Sequence, residues 1–216
     1  RHRHRHGSPG HVFHQHLVDQ RSNPISHIKT GKQMNTQPYK KLFTYWYSLI
    51  IYDLEVEFTR KYISSWKLRE QMDGAARSGK QNIVEGSDSL KTSLKTGIKL
   101  TNVAKASIEE LIGDLEDFLR HRKLEMWDKN DPRVLVLREK YSKTVSNLSN
   151  LRNLESEKIE LPNNPEEAAN LLLTLCHIAT YLLNKQVDAL EKKHITEGGY
   201  TEKLYEQRTA YRKSLK

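Results

Sequence analysis

Residues 92–121 read TSLKTGIKLTNVAKASIEELIGDLEDFLRH. Leu94, Ile98, Thr101, Ala104, Ile108, Leu111, Leu115 and Phe118 recur there at steps of three and four, the spacing that aligns side chains on one face of a helix. This stripe is the clearest in the chain, and it predicts a long amphipathic helix whose buried face needs helical partners.

The flanking segments supply those partners. Upstream, Tyr39, Phe43, Trp46, Ile50, Leu54 and Phe58 predict a first helix over about 39–63, with Pro38 in its first turn, where a missing N–H costs nothing. A second helix is expected over about 66–84, ended by Gly86 acting as a left-handed cap. Its middle holds Gly74, Ala75, Ala76, Ser78 and Gly79. Each helical glycine costs about 1 kcal/mol relative to Ala, so close approach of a neighbouring helix at Gly74 and Gly79 is the expected compensation.

Downstream, Asp131-Pro132 and Asn164-Pro165-Glu166-Glu167 are start signals: an N-cap side chain, then proline at the first helical position. They open a helix over about 131–155 and a last long helix to about His194, stopped by Gly198-Gly199. Residues 200–216 interleave Tyr200, Leu204, Tyr205 and Tyr211 with five Lys/Arg and two Glu, and read as a short basic helix. No segment alternates with period two. The expected fold is therefore all-α: an up-and-down four-helix bundle over 34–196, with an inserted helix at about 131–155 and a short basic suffix at 197–216.

Composition agrees with solvated helical faces. The 216 residues are 36% hydrophobic and 29% charged, with only ten Gly and six Pro. No apolar run approaches the ~20 residues that span a bilayer, and the N-terminus lacks the apolar core of a secretory signal. The one cysteine, Cys176, has no internal partner. A cytoplasmic protein with no membrane contact is expected. Residues 1–33 show no helical or strand period. They hold seven of the ten histidines, six cations and one acid, a net +5 out of +9. They read as a disordered or artificially added leader, with Met34 as the natural start. Metal binding through His11, His14 and His16 is the functional alternative, but no Cys or acidic partner completes that set.

Catalytic motifs fail on inspection. Gly74 to Gln81, GAARSGKQ, has the spacing of a phosphate-binding loop, but Gln81 stands where a magnesium-ligating Ser or Thr is required, and Lys67 to Asp73 is too charged for the preceding strand. No catalytic residue, cofactor or metal is expected. The telling pattern is the charge order of the third helix. Lys91, Lys95, Lys99 and Lys105 precede Glu109, Glu110, Asp114, Glu116 and Asp117, which opposes the helix dipole. With Lys67, Arg69, Arg77 and Lys80 of the second helix, these lysines predict a basic patch around the intervening turn that neutralises phosphates. An ordinary solvated face, or an interface with acids of a neighbouring subunit, is the alternative on charge alone.

Asp53-Leu54, then Gln71 and Ala75-Ala-Arg-Ser-Gly79-Lys-Gln-Asn82-Ile-Val-Glu85-Gly86-Ser87, and Ser107-Ile-Glu-Glu-Leu111, resemble the bacterial four helix bundle family. That family includes proteins encoded in intervening sequences of large-subunit ribosomal RNA genes and the accessory variability determinant of diversity-generating retroelements. The resemblance covers roughly 40–120 and, more loosely, 165–195. The extra helix and the ending at 197–205 look like its longer four helix bundle suffix subgroup. The resemblance implies a basic, barrel-like homo-oligomer of five subunits that binds RNA or DNA and a reverse transcriptase or other nucleic-acid enzyme. It also implies structural roles for Asn82 and Glu85 near the end of helix two. A structural adaptor that recruits proteins only is the alternative function.

Overall fold

The computed structural model describes residues 37–151 and 159–215, and these form helices and their connections with no strand among them. The expected leader, Met34 and His11, His14 and His16 lie outside the described residues, as does the stretch 152–158 where the fourth helix was expected to end.

A short 3-10 turn, Pro38–Lys41, precedes α1 (Phe43–Tyr62), and the extended backbone at Leu42 separates the two, so the first expected helix is split. Then follow α2 (Trp66–Ser89), α3 (Leu94–Arg122), α4 (Pro132–Leu151), α5 (Pro165–Glu197) and α6 (Tyr200–Ser214). Side chains fix several starts. Ser65 accepts from the Leu68 N–H, Ser93 from the Thr96 N–H, and Asn164 from the N–H groups of Glu166 and Glu167. Gly198 takes φ +67°, open to glycine without a Cβ penalty, and turns the chain from α5 into α6.

α2 packs most extensively on α3, α3 on α5, and α1 on both α2 and α5. The pairs run antiparallel. The Thr59 hydroxyl donates to Asp73, Ser78 meets Ser107, Lys105 reaches Asn184, and the Thr44 hydroxyl donates to Gln186. The core lies between these four helices, filled by Ile50, Leu54, Phe58, Met72, Ile83, Ile108, Leu111, Leu115, Leu172 and Leu175 among others. α4 lies across α1 and α5 and buries Val134, Tyr141, Val145 and Leu148.

That cover explains a departure from expectation in α5. One apolar side was foreseen, but every residue from Ala168 to Cys176 is buried, because α1 and α3 take one side and α4 the other. Within this run Asn170 ties down the connection ahead of α4. Its amide donates to the Glu125 and Glu166 carbonyls and its oxygen accepts from the Trp127 N–H.

Gly86 departs from expectation too. It does not end α2; it is buried inside it, and the helix runs on to Ser89. A Cβ there would meet Leu100 Cβ at 3.3 Å and the Gly97 carbonyl oxygen at 3.4 Å. Gly97 answers from α3: its own Cβ would overlap Leu90 and approach the Gly86 carbonyl at 3.2 Å. The two glycines thus let the helix backbones close on one another just before the turn. Gly79 does the same lower down, where a Cβ would stand 2.6 Å from Ile108 Cδ1. Gly74 does not: it is exposed with open space around it, because it points away from α3.

Candidate nucleic-acid interface

Helical geometry divides the lysines and arginines of the expected patch. α2 and α3 form an antiparallel hairpin, and at 1.5 Å per residue Lys67 and Arg69 stand roughly 30 Å along α2 from the turn. They belong to the opposite end of the hairpin from Lys91. Lys91 itself precedes α3, in the 90–93 turn, and its ammonium lies 3.2 Å from Asp88. The ridge of four-residue steps therefore reduces to Lys95 and Lys99, both exposed and making no hydrogen bond or ion pair among the described residues.

The remaining cations are engaged to different degrees. Lys80 is half-buried with its ammonium 3.8 Å from the centre of the Tyr52 ring. Burial lowers its pKa, with Asp53 opposing that shift and Arg77 adding to it. Lys105 is half-buried and bridges helices, donating to Asn184 Oδ1 of α5 at 2.9 Å and lying 3.7 Å from Glu109. Arg69 donates to the Ser64 carbonyl. Lys67 and Arg77 are exposed.

The motif residues of α2 act through the seam with α3. Asn82 donates its amide to the Ser78 carbonyl and hydroxyl, and the Ser78 hydroxyl lies 2.9 Å from that of Ser107. Asn82 thus supports a polar contact between the helices one turn before the Gly86–Gly97 approach. Glu85 is exposed, and its side chain makes no contact that fixes the turn among the described residues.

Sequence periodicity did not anticipate the second half of the basic end. A crevice of about 110 Å³ joins the α2–α3 turn to the α5–α6 junction and brings Lys91 and Ser93 beside Lys193, Tyr200 and Lys203. Cations from three separate stretches of chain meet there. Glu197 lies 3.5 Å from Lys203 and 4.0 Å from Lys193. Glu202 is used locally, accepting from the Gly199 N–H at 2.7 Å. The only foretaste in the sequence was the basic composition of 200–216.

Acids dominate the other end of α3. Asp114, Asp117 and His121 line a cleft of about 340 Å³ with Tyr62, Leu68 and Phe118. Asp117 pairs with Arg120, and Arg122 stacks 4.4 Å from the Phe118 ring. Nearby in the core, Glu55 is wholly buried and neither carboxylate oxygen has a hydrogen-bond partner. Burial, reinforced by Asp73 and Asp114, pushes its pKa up to about 8. It is therefore chiefly a neutral acid at pH 7. Cys176 is buried, and its thiol pKa is raised well above the usual value by burial and then by Glu55. Among the described residues no group of three His, Cys, Asp or Glu side chains is placed to hold a metal ion, and no helix is long and apolar enough to cross a membrane.

The chain matches no model of a protein family, and comparison with curated proteins and with solved structures gives no match either.

Proposed function

We propose that α1, α2, α3 and α5 form an up-and-down four-helix bundle, with α4 inserted and α6 appended, that assembles as a cytoplasmic homo-oligomer and binds nucleic acid without catalysing a reaction. The observation that carries this reading is the separation of charge along α3. Exposed Lys95 and Lys99, with Lys91 beside Lys193 and Lys203, crowd one end, while the acids of α3 occupy the other. Asp88 and Glu197 already share Lys91, Lys193 and Lys203, so Lys95 and Lys99 are the cations from which a polyanion gains most, through release of its condensed counterions. The resemblance to bacterial four helix bundle proteins supports the same reading, with five subunits and a reverse transcriptase or other nucleic-acid enzyme as the partner.

The test is a titration of the full chain with labelled RNA and DNA across a range of salt. Binding weakens linearly in log–log form as salt rises, and replacing Lys91, Lys95 and Lys99 by Glu weakens it at least tenfold at low salt. Unchanged affinity in that variant removes the patch from the interface. Light scattering of the same samples reads the subunit number, and a monomer would remove the oligomeric part.

A second reading, an adaptor that recruits proteins only, is favoured by one feature. A groove of about 440 Å³ between the start of α4 and α5 is walled by Trp127, Pro132, Val136, Leu137, Pro162 and Leu171, with Leu135 and Val136 exposed near it. That reading expects no nucleic-acid affinity and a defined protein complex on pull-down.

A further inference from the structure

Among the described residues α6 has no extensive packing partner. Every other helix buries a face against a neighbour, but α6 leaves the α5–α6 junction and makes no extensive contact with any element. None of its residues is buried. Tyr200, Tyr205 and Tyr211 are 53%, 72% and 66% exposed. Isolated helices of fifteen residues are marginal in water, so large apolar side chains kept on one find their use in contact with something else.

The arrangement of those side chains limits what that is. At 100° per residue, Tyr200, Leu204, Arg208, Tyr211 and Leu215 follow one another at steps of three or four, and Tyr205 and Arg212 flank that row. One face of α6 therefore carries all three tyrosines and both arginines. Glu206 falls roughly 240° round from Tyr200, on the far side, while Glu202 at roughly 200° borders Tyr205 and is held by the Gly199 N–H. The sector of roughly 140° from Tyr200 to Tyr205 holds no acid, with Glu202 at its edge. Neither arginine has a hydrogen bond or ion pair among the described residues.

We infer that this face is a stacking platform for single-stranded nucleic acid, continuing the basic end of the α2–α3 hairpin; it rests on the nucleic-acid reading above. Three observations favour this occupant over a protein helix. Arginines sit among the tyrosines, where a helix–helix contact wants aliphatic side chains, and only Leu204 and Leu215 are aliphatic. Phosphates are drawn to the same end by the exposed Lys95 and Lys99, next to Lys91, Lys193 and Lys203, which Asp88 and Glu197 share. Exposed tyrosine rings match the faces of unpaired bases, which a duplex hides in its own stack. From Tyr200 to Tyr211 the face spans about 17 Å along the helix, the length of roughly five stacked nucleotides.

The experiment compares the full chain, Y205A/Y211A, R208E/R212E and K95E/K99E. Each is titrated by fluorescence anisotropy against an unstructured labelled 20-nucleotide RNA and against a matched duplex. In Y205A/Y211A, single-strand affinity falls at least tenfold, duplex affinity is unchanged, and the slope of log affinity against log salt stays the same, because stacking releases no counterions. In R208E/R212E the slope falls by about one to two. If the full chain binds neither RNA nor duplex, the nucleic-acid reading itself fails. If it binds both equally, with K95E/K99E weakening and Y205A/Y211A leaving both affinities unchanged, the α6 platform is overturned while that reading stands. If Y205A/Y211A instead changes the mass by light scattering and leaves RNA affinity unchanged, the face is a subunit contact and the platform is again overturned.

Discussion

The interior around Glu55 and the face of α6 make opposite use of their side chains. In the interior a carboxylic acid is sealed from water without a hydrogen bond, and glycines are pinned between helices, both at a local cost that surrounding packing offsets. On α6, tyrosines that would suit a core are more than half exposed, and none is buried by the described residues. In the interior, then, residue identity follows from folding. On α6 folding places almost no demand on identity, which leaves its tyrosines available for the contact proposed above.

The largest test of that contrast is pH. Folding raises the Glu55 pKa from its ordinary 4.5 to about 8, so the folded state holds a proton that the unfolded state releases. The sign follows: the benefit of this protonation is whole below pH about 4.5, declines through each unit above it, and is gone once the pH passes about 8. Wild-type stability, from urea melts, should fall by about 4 kcal/mol between those limits. Glu55→Gln, with no proton to lose, should flatten that dependence and be the more stable of the two at pH 8.5. A wild-type curve flat over this range would place water or a cation against Glu55.

A smaller effect is expected at the helix crossing. Gly97→Val should cost about 3 kcal/mol, because the new side chain meets both Leu90 and the backbone of Gly86. In a thermal melt that is a loss of roughly 6–12 °C. A near-native melting temperature would show that α2 and α3 separate freely at this end. The smallest effect is on α6: Tyr205→Ala with Tyr211→Ala should leave the melting temperature within about 1–2 °C of wild type, as exposed substitutions remote from packing do. A large loss of stability there would mean that the tyrosines are buried in an assembly.

Much of the helical architecture was legible in the sequence because its signals are local. The stripe from Thr101 to Phe118, the Asn164-Pro165 start and the Gly198 turn each depend on residues within a turn or two, and each lies where the chain pattern puts it. Several of the misreadings share one cause, that their determinant lies on another helix. Gly86 carries the same letter whether it caps a helix or faces Gly97. The state of Glu55 likewise depends on burial and on Asp73 and Asp114, which belong to other helices. The full burial of Ala168 to Cys176 requires α4, whose placement no period in α5 reveals. The basic patch was legible as a composition but not as a location. Spacing relates lysines on one helix, whereas the antiparallel hairpin carries Lys67 and Arg69 away from the turn and the α5–α6 junction brings Lys193 and Lys203 to it.

The sealed position of Cys176 has a practical consequence. It is the chain's single thiol, wholly buried and held in the unreactive protonated form. A maleimide added to the native protein therefore finds no target, and the rate at which labelling appears becomes a clock for opening of the helical body. A cysteine engineered in place of exposed Tyr205 would react at once and alone, so a fluorophore could be seated on α6 without first removing the native sulfur.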